Sequence, residues 1–168
     1  MTFPKLCLGL LVPALCAGLA GCNSAASISA TPPPAVGQVD SILVQTLPAA
    51  VNWDGQPGPD GLEARVYLFQ YDRKLPVAAK GTLEFTVYEG ILRAEGIAEA
   101  KPFYSWRFDG ETLKEHLTRS AVGWGYTVRL GWGAAAPAAS AVTLLSRYLP
   151  PEGRPIVARP ITLATGPR

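Results

Sequence analysis

Trp124, Tyr126, Val128, Leu130 and Trp132 fall on every second residue, and Gly125, Thr127, Arg129 and Gly131 occupy the positions between them. A period of two places one set on each face of an extended chain, so the run reads as a strand with an apolar face. Leu83, Phe85 and Val87 alternate with Thr82, Glu84, Thr86 and Tyr88 in the same way. Further strand candidates lie at 41–47, 62–71, 103–108, 141–148 and 156–163. Most of the chain's 16 Pro and 17 Gly lie between these runs, where they punctuate turns. Seven strands of this kind predict an all-β, antiparallel two-sheet β-sandwich, immunoglobulin-like or transthyretin-like, over residues 39–168.

One segment departs from the period. Residues 109–119 (DGETLKEHLTR) predict a short helix, with Asp109 as its cap, Glu111 in its first turn and Arg119 near its end. Leu113 and Leu117, four apart, would dock it on the sandwich. Residues 91–101 read as a long hairpin or a poorly ordered insert, and 133–140 (GAAAPAAS) as a loop of small residues.

The amino-terminal stretch has a different logic. Lys5 precedes an apolar run from Leu6 to Ala20 that holds Gly9 and Pro13 and ends in small residues before Cys22. The run is shorter than the ~20 residues needed to cross a hydrocarbon core, so it reads as a secretory signal and not as a permanent span. Leu19-Ala20-Gly21-Cys22 resembles the lipobox of bacterial lipoprotein signal peptides: an aliphatic residue, a small residue, Gly or Ala, then Cys. Neither Cys7 nor Cys16 has such a context. The resemblance implies that residues 1–21 are removed and that Cys22 is lipidated and becomes the first residue of the mature chain. An ordinary cleaved signal or an uncleaved anchor is the alternative. Asn23, where an Asp would hold an enterobacterial lipoprotein at the inner membrane, implies the outer membrane, facing the periplasm. Residues 23–38 (NSAASISATPPPAVGQ) carry no charge and almost no large apolar side chain, so with Cys22 they form a tether. As a coil it would hold the domain some ~20–25 Å from the membrane.

Loss of residues 1–21 leaves 14 basic side chains against 13 acidic and a single cysteine. Such balance generates no long-range field toward a phosphate backbone, so nucleic acid is not an expected partner. With Cys22 acylated, no thiol remains for a disulfide, a thiolate nucleophile or a Cys-containing zinc site. No cofactor or metal is expected.

Candidate chemistry is sparse. Residues 54–61 (DGQPGPDG) offer Asp54, Gln56 and Asp60, fewer than the six to eight oxygens calcium takes, and read as an inter-strand turn with calcium as the alternative. His116 is the single histidine, and no Gly-x-Ser-x-Gly elbow accompanies it. Glu84, Glu89, Glu95 and Asp109 could form a glycosidase-like pair, but no sequence context predicts a raised pKa for any of them. No catalytic residues are therefore assigned, and an enzyme is not expected. Aromatics supply the remaining signal. Tyr67, Phe69 and Tyr71 share a strand face, and Trp106 lies on another strand; these four form a candidate interaction surface, unless the 109–119 helix covers it.

Beyond the lipobox, the domain resembles uncharacterised envelope β-sandwich lipoproteins. The outer-membrane lipoprotein of type VI secretion machines is a remote comparison, through a lipobox, a short tether and a strand similar to Arg65-Val66-Tyr67-Leu68. These resemblances imply a lipid-anchored, non-enzymatic binding module of the cell envelope, whose partner is an envelope protein or other envelope component. The alternative is a structural or assembly subunit of a trans-envelope secretion or efflux complex.

Overall fold

Alternation along the chain becomes register between strands in the computed structural model, which describes residues 29–166. Cys22 and residues 1–21, read above as a signal, lie outside the described residues. The strands are β1 (Ser41–Thr46), β2 (Gly61–Phe69), β3 (Thr82–Glu89), β4 (Tyr104–Phe108), β5 (Leu117–Arg119), β6 (Trp124–Gly131), β7 (Ala141–Leu149), β8 (Ile156–Val157) and β9 (Ile161–Ala164). They form two antiparallel sheets, β1-β2-β6-β5 and β4-β3-β7-β8, with β9 also pairing with β7. The chain is a β-sandwich.

Register decides what lies inside. Leu62, Val66 and Leu68 of β2 and Tyr126, Val128 and Leu130 of β6 face Leu83, Phe85 and Val87 of β3 and Val142, Leu144 and Tyr148 of β7 in one core. Trp132 is the largest fully buried side chain. Its indole N–H donates to the Pro59 carbonyl at 2.9 Å, so an apolar body is buried with its one donor satisfied. Each such side chain contributes on the order of 1.5–3 kcal/mol relative to exposure.

Among the described residues, nine strands replace the seven expected, for two local reasons. The predicted 156–163 strand is divided into β8 and β9, which pair with successive stretches of β7. Pro160 falls in the gap, where it has no N–H to give to a ladder. The predicted helix is also shortened. Helix α1 covers only Gly110–Glu115, with the Asp109 side chain accepting the Thr112 N–H and His116 closing its C-terminus. Residues 117–119 then extend as β5 along β6, because Thr118 finds Thr127 at 2.8 Å there. Leu113 is fully buried and Leu117 packs against the core. Residues 91–101 hold a single 3₁₀ turn, Ala94–Gly96, anchored by the buried Ile97.

Candidate functional site

The described part of the expected tether is docked on the sandwich. Val36 donates its N–H to the Ala78 carbonyl at 2.9 Å and accepts the Lys80 N–H at 2.9 Å, and Val39 is buried in the core. Residues 77–81 form a strap leading from β2 to β3 across this end of the molecule. The strap is fastened from both sheets: the Tyr126 hydroxyl accepts the Ala79 N–H at 2.8 Å, and the Tyr148 hydroxyl accepts the Gly81 N–H at 3.2 Å. Burial pushes both phenols above their ordinary pKa, against the opposing effect of those N–H bonds. A freely jointed coil over residues 23–38 therefore does not describe residues 29–38.

An open groove of about 670 Å³ lies beside the strap. The 32–34 proline run forms one wall, and Arg73, Lys74, Pro76 and Trp124 form the other. Trp124 donates its indole N–H to the Ser29 carbonyl at 3.1 Å. Gly123 lets the β5–β6 turn approach Pro76: a Cβ there would lie 2.8 Å from the proline Cδ, and its φ of +138° disfavours any side chain. Charge and aromatic area meet at this end. Tyr71 is 89% exposed and Val122 43%, and Arg73 and Lys74 are also exposed.

The four aromatics predicted as one interaction surface are not together. Tyr67 is 1% exposed, which corrects its assignment to a docking face. Its ring lies across Gly125, where a Cβ would come within 2.8 Å of the ring, and its hydroxyl is 2.9 Å from Ser120 Oγ. Phe69 is half-buried. Trp106 is half-buried too, and points between the sheets: its indole N–H donates to the Gly131 carbonyl of the opposite sheet at 3.0 Å, and Tyr104 packs on it at 4.7 Å between ring centroids. Only Tyr71 stands free of the sandwich surface. Helix α1 does not cover the Tyr67 face; it packs on β3 and β4.

Of the other candidates, Glu95 is exposed on the 3₁₀ turn, and the rest are held in local bonds or packing. Asp60 accepts the Trp53 and Asp54 N–H groups, Asp54 accepts the Gln56 N–H at 2.8 Å, and Asn52 accepts the Gly55 N–H at 2.7 Å. The oxygens of the 54–61 loop thus face its own amides, as in a self-bonded turn. Glu84 bridges Arg107 at 3.0 Å and Arg147 at 2.9 Å. Glu89 accepts the Ala138 N–H, and Asp109 caps α1, its pKa lowered by the Thr112 N–H. The His116 ring packs edge-on against Phe108 at 5.0 Å, with Nδ1 at 3.2 Å from the Thr127 carbonyl. Among the described residues, no three His, Cys, Asp or Glu side chains gather as a metal site, and no helix is long and apolar enough to cross a membrane.

No family model, curated protein or solved structure matches the chain.

Proposed function

We propose that this chain is a lipid-anchored cell-envelope protein, held through Cys22 and acting as a non-enzymatic interaction module on the periplasmic side of the outer membrane. The observation that carries the reading is Leu19-Ala20-Gly21-Cys22, which closes an apolar run too short to span. Its partner is another envelope component. The engagement of Glu84, Glu89, Asp109 and His116 in structural bonds and packing supports a module that binds and does not catalyse. Two or three acyl chains on Cys22 would give stable attachment, since each buried CH₂ contributes ~0.8 kcal/mol and a single chain holds only marginally.

The test is metabolic labelling with a clickable palmitate analogue. Wild-type protein should carry the label and Cys22→Ala should not; labelling that persists in Cys22→Ala would overturn the assignment. Affinity capture from solubilised envelopes then addresses the role: transient or ligand-dependent capture is expected, and one stable stoichiometric multi-protein complex would replace the binding module with an assembly subunit.

A further inference from the structure

The groove loops differ from the opposite end in charge and in distance from Cys22; exposed apolar side chains occur at both ends, Tyr71 and Val122 here and Leu47 and Ile91 there. The two loops beside the groove, 70–76 and 120–123, hold Arg73 and Lys74 against a single acid, Asp72. At the opposite end, loops 47–60, 90–103 and 132–140 hold Asp54, Asp60, Glu95 and Glu99 against Arg93 and Lys101. Of the other acids at this end, Asp109 accepts the Thr112 N–H, Glu111 pairs with Lys114 at 2.7 Å and Asp40 accepts the Tyr71 N–H at 2.9 Å, while Glu115 and Glu152 are exposed, as are Lys80 and Arg154. Tyr71 and Val122 are exposed beside Arg73 and Lys74, and Trp124 is half-buried at the groove. Aromatic rings with basic side chains are what the headgroup layer of a bilayer favours.

Chain length gives the second argument. Cys22 and Ser29 are seven Cα steps apart, which reach at most about 25 Å. The nine-residue β2 makes the sandwich roughly 30 Å long. Because Ser29 is fixed to Trp124, a lipid at Cys22 brings the groove end to the bilayer, whereas the acidic end lies a full strand length farther away.

We propose that the loops bearing Tyr71, Arg73, Lys74, Val122 and Trp124 rest on an anionic lipid surface and orient the domain with its acidic end outward. This orientation rests on the lipid-anchor reading. It leaves the 47–60, 90–103 and 132–140 loops as the surface available to a soluble partner.

The experiment uses the full chain, produced with its own signal and purified after processing, in phosphatidylcholine vesicles with and without phosphatidylglycerol. An environment-sensitive fluorophore is placed on Val122→Cys or on Ala134→Cys, with doxyl-labelled lipid as quencher, and intact mass reads the acyl chains. The Val122→Cys probe should be quenched and the Ala134→Cys probe should not, more so with phosphatidylglycerol present. Neutralising Arg73→Gln and Lys74→Gln should lower the docked-to-undocked ratio about five-fold for each charge removed. Equal quenching at the two positions in protein of the acylated mass would overturn the orientation and leave the anchor standing. An unacylated mass would overturn the anchor and the orientation with it.

Discussion

The Tyr126 and Tyr148 hydroxyls, one from each sheet, accept hydrogen bonds from backbone N–H groups two residues apart in the strap, Ala79 at 2.8 Å and Gly81 at 3.2 Å. Tyr126→Phe keeps the ring in the core but leaves the buried Ala79 N–H without an acceptor. It should destabilise the domain by about 1–3 kcal/mol. Urea denaturation should show a lower midpoint with an unchanged slope. Tyr148→Phe removes two longer bonds, from the Gly81 N–H at 3.2 Å and to the Gly37 carbonyl at 3.4 Å, and should fall in the same range. A Tyr126→Phe midpoint equal to wild type would mean that the Tyr126 bond does not hold the strap.

The same two phenols set an alkaline limit. Their folded pKa values are raised by burial, so the folded state holds their protons more tightly than the unfolded chain does. Their contribution is fully present below the ordinary phenol value of about 10 and is lost as pH rises through the folded values. Absorbance titration near 295 nm should show a phenol step above the ordinary range for these two, together with loss of the fold. Ionisation of all six tyrosines in one early step, with the far-ultraviolet spectrum intact, would contradict this.

Gly125 is a packing position. A methyl group there would meet the Tyr67 ring at 2.8 Å and the Val66 carbonyl oxygen at 2.9 Å, and the second of these is backbone that cannot step aside. Gly125→Ala should therefore destabilise the domain by about 1–3 kcal/mol. Gly37→Ala, whose added Cβ would meet nothing within 4 Å, should stay within about 0.5 kcal/mol of wild type. Thermal denaturation of the pair separates a specific clash from a general intolerance of alanine.

Asp109 should act through its oxygen as a cap. Asp109→Ala should lower the melting temperature, and Asp109→Asn should retain most of the wild-type value, since the amide oxygen can still accept the Thr112 N–H. The carboxyl pKa is lowered by that N–H, so its contribution is present above the ordinary carboxylate range and is lost as pH falls through the folded value. The difference between wild type and Asp109→Ala should narrow in acid, as read by melting curves across a pH series.

Much of the sandwich was legible because its strands obey the pleat. Leu83, Phe85 and Val87 alternate without exception and all three are buried. The helix cap was legible too, since Asp109 offers an oxygen at the right distance from Thr112 along the chain. The length of α1 was not, because residues 115–119 satisfy a helical pattern locally, while β6 offers the β-branched Thr118 a partner that local spacing does not reveal. Tyr67 was misassigned for a related reason. An aromatic on an outward-facing position reads as exposed unless the neighbouring strand has a glycine opposite, and Gly125 is nearly sixty residues away in the chain. A glycine inside the Trp124–Gly131 strand was the available signal, since glycine there marks close approach of another group. The docking of Val36 left no trace in composition: a short Pro- and Ser-rich segment reads as linker whether or not two of its backbone groups find partners.

That docking has a mechanical consequence. Tension on the chain ahead of Ser29 meets the Trp124–Ser29 bond first and then Val36, whose two backbone bonds join the strap and are loaded together, not one after the other. The strap in turn is riveted to both sheets, so the load divides between them and does not peel one edge strand away. The amino-terminal end of this domain is therefore built as a mooring point.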